Sequence, residues 1–156
     1  MAISRLDNLY RQVILDHSTK PHHRGTLTES TQTIEMNNPT CGDVIQLEVS
    51  LKDGVIADIA FSGDGCSIST ASASMMTDAI IGKTVAEAVA LGATFSELVQ
   101  GKAVENEEAL GDAAMLQGVS KYPARIKCAT LAWKALAQAI DESGDGHGLA
   151  HQFHKE

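Results

Sequence analysis

Apolar and polar residues alternate across Ile45, Leu47, Val49 and Leu51, and again across Val55, Ala57, Ile59 and Phe61. A period of two marks a half-buried strand. The runs are separated by Lys52, Asp53 and Gly54, which predicts a β-hairpin with a three-residue loop and Gly54 in the left-handed position. In that register Leu51 faces Val55, Val49 faces Ala57, Leu47 faces Ile59 and Ile45 faces Phe61. Apolar meets apolar throughout, which a one-residue slip would destroy. Extended outward, the ladder sets Asp43 opposite Gly63 and Cys41 opposite Gly65. A two-residue loop would set Cys41 opposite Cys66. Either way, two cysteines 25 positions apart meet at the open end of the hairpin. A further strand is predicted over 32–36.

Elsewhere the period lengthens to that of helices. Leu6, Leu9, Tyr10 and Val13 share a face of a helix over 5–16, with Ser4 and Asp7 as a capping box; "HSTKPHHRG" then breaks it. "SISTASASMMTDAII" (67–81) reads as a close-packed helix of small residues, with Ile68, Ala71, Met75, Ala79 and Met76 inward. A helix over 84–99 opens on a Thr84–Glu87 capping box and buries Val85, Ala88, Phe95 and Leu98. The last helix begins near Pro123, a residue suited to a first turn, and buries Ile126, Ala129, Trp133, Leu136 and Ile140. Cys128 falls off that stripe, beside Arg125 and Lys127, and is expected near the surface. The acidic stretch before it is expected to be a solvated loop with one short helix around 112–117.

At 156 residues the chain reads as one domain, 1–141, followed by a mobile tail, 142–156. A chain of this size buries about 68–70% of its unfolded surface and does not need a metal in order to fold. No run approaches the roughly 18 apolar residues of a membrane span, and the N-terminus has no signal-peptide pattern, so the cytoplasm is expected. A net charge of −8 without a basic run speaks against nucleic acid, and no membrane association is expected.

The three cysteines are Cys41, Cys66 and Cys128. Taken singly, a free cysteine reads as a small buried hydrophobe, a reading that the surface position expected for Cys128 disfavours, and their odd number argues against a disulfide framework. Taken together they lie at element boundaries next to glycine or to cations. With Asp43 they make a tetrahedral zinc set, and soft sulfur also suits iron–sulfur chemistry. The N-terminus of the helix after Cys66, with Arg125 and Lys127, would compensate the negative charge. Other chemistries fare worse. "GDGC" lacks the ending of a phosphate loop, and no GxSxG elbow accompanies "STASAS". His22 and His23 in their Pro/Gly-bounded loop, and His147, His151 and His154 in the tail, read as surface residues before they read as ligands.

"NPTCGDVI", "GDGCSISTASASMM" and "RIKCATLAWKAL" resemble the three cysteine motifs of the IscU/NifU-N family of iron–sulfur cluster assembly proteins. The likeness runs from the first helix to Ile140. It is nearer to the SufU branch: 101–121 resembles that branch's insertion, and residue 127 is lysine where IscU proteins carry histidine. The "LPPVK" chaperone-docking motif is absent. The resemblance implies an α+β fold, a small three-stranded antiparallel sheet with helices packed on one face. It implies a metal site of Cys41, Asp43, Cys66 and Cys128 that binds Zn2+, or alternatively iron or a transient [2Fe-2S] cluster. It implies a SufS-type cysteine desulfurase as sulfur donor, with SUF assembly proteins or apoproteins as further partners, and Cys41 as the acceptor that forms a persulfide.

Three functions are then in competition: a zinc-dependent sulfur relay, a scaffold for a [2Fe-2S] cluster, and a structural zinc domain. The relay is favoured. A closed four-ligand site must open before sulfur leaves it, and Cys41, on a loop between Pro39 and Gly42, is the ligand placed to detach. Arg125 is expected to hold Asp43 or the released thiolate. Lys127 removes a possible imidazole ligand and so weighs against the scaffold.

Overall fold

A computed structural model describes residues 5–30, 32–38 and 42–143, without the side chains of 5–10 and 142–143. The order is α1 (Arg5–Thr19), β1 (Gln32–Asn38), β2 (Asp43–Lys52), β3 (Val55–Asp64), α2 (Ser67–Ile80), α3 (Val85–Val99), a 3₁₀ helix (Glu107–Lys121) and α4 (Pro123–Ser143). The expected α+β architecture is present: one antiparallel sheet, in the order β1-β2-β3, with helices on one face. Ile34, Ile45, Leu47, Val49, Ile59 and Phe61 point into the helical layer, and all are buried. The other face carries Glu35, Gln46 and Ser62, linked by hydrogen bonds from Gln46 to Glu35 (2.9 Å) and from Ser62 to Gln46 (3.3 Å).

The hairpin differs from its sequence reading. Lys52 pairs with Val55, leaving a two-residue Asp53–Gly54 turn with both φ angles positive (53° and 75°), the geometry that matches strand twist. A bulge at Ala57 then shifts the ladder, so that Val49 faces Ile59, Leu47 faces Phe61 and Ile45 faces Gly63. The shift from the expected pairing is two residues, an even number, so β2 and the outer half of β3 keep the expected faces. Near the turn the face does change: Ile56 is buried and Ala57 exposed. The cause is tertiary. Ile56 N–H donates to Lys83 O (2.9 Å) and its carbonyl accepts from Gly82 N–H (2.8 Å), which seats the hairpin tip on the α2–α3 connection.

The helices bury more than single stripes. In α2, Ala71 through Thr77 are all buried, because α1, α4 and the 3₁₀ helix surround it. Its small residues permit close approach: Ser72 Oγ donates to Ala129 O of α4 (2.5 Å) and accepts from the Trp133 indole (3.2 Å). Trp133 stacks on Phe95 of α3, with centroids 4.6 Å apart and planes 14° from parallel. The α1 helix runs three residues past the expected break, to Thr19, whose hydroxyl donates back to Leu15 O (2.8 Å). The expected solvated loop before α4 is also corrected. It contains a 3₁₀ helix, interrupted at Gly111 (φ 58°, ψ −134°), that buries Leu110, Ala113, Leu116 and Val119 against α1, α2, α3 and α4.

The capping box of α3 is formed as expected. Thr84 N–H (3.0 Å) and Oγ1–H (3.2 Å) donate to the Glu87 carboxylate, and Thr84 Oγ1 accepts from Glu87 N–H (3.1 Å). The Thr84 backbone and hydroxyl hydrogen bonds hold the Glu87 carboxyl below its ordinary range. A group lowered in the folded state stabilises above its unfolded pKa, and that contribution is lost as pH falls through the folded one. Glu87→Gln is therefore expected to flatten the acid limb of the stability–pH curve, as measured by urea denaturation from neutral pH down through the carboxylate range. An unchanged acid limb would remove Glu87 from that titration.

Candidate metal centre

The start of β2, the exit of β3 and the first turns of α4 converge at one end of the sheet. Asp43 opens β2 and is 1% exposed. One of its oxygens, Oδ1, accepts from Cys66 N–H (2.8 Å), and the other lies 3.9 Å from Cys66 Sγ. Cys66 is the N-cap of α2, with extended dihedrals (φ −67°, ψ 171°) and its sulfur accepting from Ser69 N–H at 3.4 Å. The main-chain N–H at this helix end thus points positive charge at the sulfur. Cys128 comes from α4. One ligand atom from each of Asp43, Cys66 and Cys128 lies within 4.8 Å of the other two. Three of the four expected ligands are therefore gathered. The fourth, Cys41, lies outside the described residues, as do the tail histidines His147, His151 and His154. Gly42, directly after Cys41, has φ 75° and donates its N–H to Asn38 O (2.8 Å), so the two described ends of that segment are joined.

Cys128 corrects the sequence reading: it is fully buried. The α4 helix is covered by the sheet on one side and by α2 and α3 on the other, so residues off the Trp133 stripe are enclosed too. Arg125 Nη1 lies 3.9 Å from Cys128 Sγ, so the expected cation is at the site, directed at a thiol. Lys127 is exposed. Asn38 Nδ2 also reaches Cys128 Sγ, at 3.8 Å, a contact the sequence reading missed. Its position could have been found by counting in twos from Ile34 and Met36 along β1 to the inward face.

Two glycines shape the site. Gly63 has φ 110°, and a Cβ there would stand 2.2 Å from Val44 O, so no side chain fits. A Cβ at Gly65 would lie 3.1 Å from Ser69 Oγ and 3.3 Å from Asp43 Oδ1. Among the described residues, Ser69 Oγ is the buried side-chain oxygen without a hydrogen-bond partner. A buried carboxylate facing two thiols is costly as bare polar chemistry, whereas the same atoms suit a thiophilic cation such as Zn2+. The residues present fit the implied metal.

A profile of the NifU-like N-terminal domain matches residues 9–129, most of the chain. The chain belongs to the NifU-like N-terminal domain family. Within it, the chain is 53% identical to the iron-sulfur cluster assembly scaffold protein IscU of Streptococcus pyogenes serotype M1, over 100% of this chain and 98% of that protein. It is 51% identical to the zinc-dependent sulfurtransferase SufU of Bacillus subtilis (strain 168), over 92% of this chain and 97% of that one. A solved structure from Fervidobacterium islandicum AW-1, described as a candidate scaffold protein for the SUF system, superposes with a TM-score of 0.78 at 34% identity, covering 83% of this chain and 94% of that chain. In this NifU-like domain no described helix is long and apolar enough to cross a membrane.

Proposed function

We propose that this protein is a zinc-dependent sulfur acceptor in iron–sulfur cluster assembly, taking persulfide sulfur from a SufS-type cysteine desulfurase in the cytoplasm. The observation that carries the reading is the convergence of buried Asp43 and Cys128 with half-buried Cys66 beside the strand entry that follows Cys41. Cys41, Asp43, Cys66 and Cys128 are proposed as the zinc ligands. When bound, zinc holds the thiols deprotonated at neutral pH and moderates their nucleophilicity.

The chain's own residues supply the rest. Cys41 as thiolate attacks the terminal sulfur of the donor persulfide. The donor S–S bond breaks, a new S–S bond forms on Cys41, and the donor cysteine leaves as thiolate, with no external oxidant or reductant. Arg125, a cation beside Cys128, offsets negative charge among the thiolates. Asp43 is fixed by Cys66 N–H, so it keeps its place while Cys41 reacts.

The relative named as a scaffold, at 53% identity, favours a second reading in which the same ligands hold a nascent [2Fe-2S] cluster. One experiment separates the readings. Anaerobic protein is mixed with a cysteine desulfurase and cysteine, and its metal content, alanine production and mass are followed. The relay is expected to show zinc, faster alanine production and one added sulfur mapping to Cys41. Iron with sulfide and visible absorbance would support the scaffold instead. Zinc with no response to desulfurase would overturn both.

A further inference from the structure

We propose that His17, His22 and Asp78 form a second site for a divalent transition metal, built of nitrogen and oxygen and independent of the sulfur centre. His17 lies in the last turn of α1, His22 in the connection that follows, and Asp78 near the end of α2. One ligand atom from each lies within 4.8 Å of the other two. A tetrahedral ion with ligands at about 2.1 Å sets its ligand atoms about 3.4 Å apart, so small side-chain rotations complete the fit.

The surroundings are those of a supported site. His17 is 3% exposed and anchors it. The Nδ1 of His17 lies 2.7 Å from Ser74 Oγ, and its Nε2 lies 2.9 Å from Asp112 Oδ2. A carboxylate on one ring nitrogen, here Asp112 on Nε2, is the usual orienting partner of a metal-bound histidine, and an ion at Nδ1 would take the place of the Ser74 contact. Ser74 Oγ also accepts from His22 N–H (2.7 Å), which fixes the main chain beside the second ligand. His22 Nδ1 meets Asp78 Oδ2 at 2.5 Å, and His23 Nδ1 lies 3.5 Å from Asp78 Oδ1.

Access exists as well. The side chains of His22 and Asp78 are 52% and 39% exposed. A cleft of about 360 Å³ lined by Asp78, Glu108 and Asp112 adjoins the site, with Lys83 as its one opposing cation. Three acids in that cleft attract cations, and its volume admits the waters that would complete the coordination sphere. Two imidazoles and a carboxylate with open positions suit Fe(II) or Zn(II), unlike the thiolate-rich first site. Asp78 lies twelve residues beyond Cys66 along α2, about 18 Å at 1.5 Å per residue, so the two ions would not share ligands.

The test is a Zn(II) titration of the full-length protein carrying its first zinc, with Fe(II) under anaerobic conditions as a second arm. Wild type is expected to bind a further equivalent. His22→Ala and Asp78→Asn should each weaken that equivalent at least about tenfold. Both side chains are at the surface, and retention of the first zinc reports that the variants fold. In a Co(II) titration the added equivalent should show weak visible bands without the near-ultraviolet thiolate charge transfer. A triple His147→Ala, His151→Ala, His154→Ala variant should keep the added equivalent. The proposal is overturned if wild type takes only one metal, if the second survives both substitutions, or if it vanishes with the tail histidines. In the first case the three residues serve only as a hydrogen-bonded staple between α1 and α2.

Discussion

Trp133→Ala is expected to lower the unfolding free energy by about 3–5 kcal/mol, the range for removing a fully buried large aromatic side chain. Domains of this kind have roughly 5–15 kcal/mol in total, so a large share of the stability is at stake. Trp133 is 1% exposed, stacks on Phe95 of α3 and donates its indole N–H to Ser72 of α2. One side chain therefore joins three helices. The melting temperature should fall by on the order of 10 °C. Trp133→Phe keeps most of the volume and loses the bond to Ser72, and its cost should be nearer to about 1 kcal/mol for the bond alone plus any repacking. Urea denaturation of both variants checks this. A loss below about 1 kcal/mol for the alanine variant would mean that the helical layer is not packed around this residue.

Cys128→Ser is expected to abolish tight zinc retention while leaving the fold in place. The hydroxyl is a poor zinc donor at neutral pH because it stays protonated, and it is shorter than the thiol it replaces. Loss of an orienting partner alone costs about 10–100-fold in metal affinity, so loss of a ligand should cost at least as much. Competition with a chromogenic chelator measures it, and far-ultraviolet circular dichroism reports the fold. Because Cys128 is enclosed by α4, Asn38 and Arg125, no described side chain stands ready to replace it from solvent. Wild-type retention in the serine variant would remove Cys128 from the ligand set.

Much of this architecture was legible because local and tertiary signals agree. The alternation from Ile45 to Leu51, the Thr84–Glu87 box and Pro123 at the start of α4 each mark a boundary that packing then respects. Strand pairing led to this end of the hairpin but set Asp43 opposite Gly63; the two-residue shift, which pairs Ile45 with Gly63 and Val44 with Asp64, is what brings Asp43 to Cys66 N–H. The failures have physical reasons. Ala57 and Ile56 are both apolar, so alternation could not choose between them, and the bonds from Ile56 to Lys83 and Gly82 made the choice. Leu110, Ala113, Leu116 and Val119 are spaced by three, the period of a 3₁₀ helix, and a search for 3.6 passes over it. Cys128, Ala132, Ala135 and Ala139 form a second buried stripe of small residues that a single-stripe reading assigns to solvent. His17 meets Ser74 and Asp112, 57 and 95 positions away, and no local pattern announces such contacts.

The connection after α1 also shields the sheet. Phe61 N–H donates to His23 O (3.0 Å) and Gly25 N–H donates to Phe61 O (2.8 Å), a short parallel bridge along the outer margin of β3. Among the described residues β1 pairs with β2 alone. Unpaired margins of this sort recruit foreign strands and seed aggregation. An intruding chain therefore finds its hydrogen-bonding template along Gln32–Asn38, while on the opposite border the protein's own backbone already occupies Phe61, through His23 and Gly25, and Ile56, through Gly82 and Lys83.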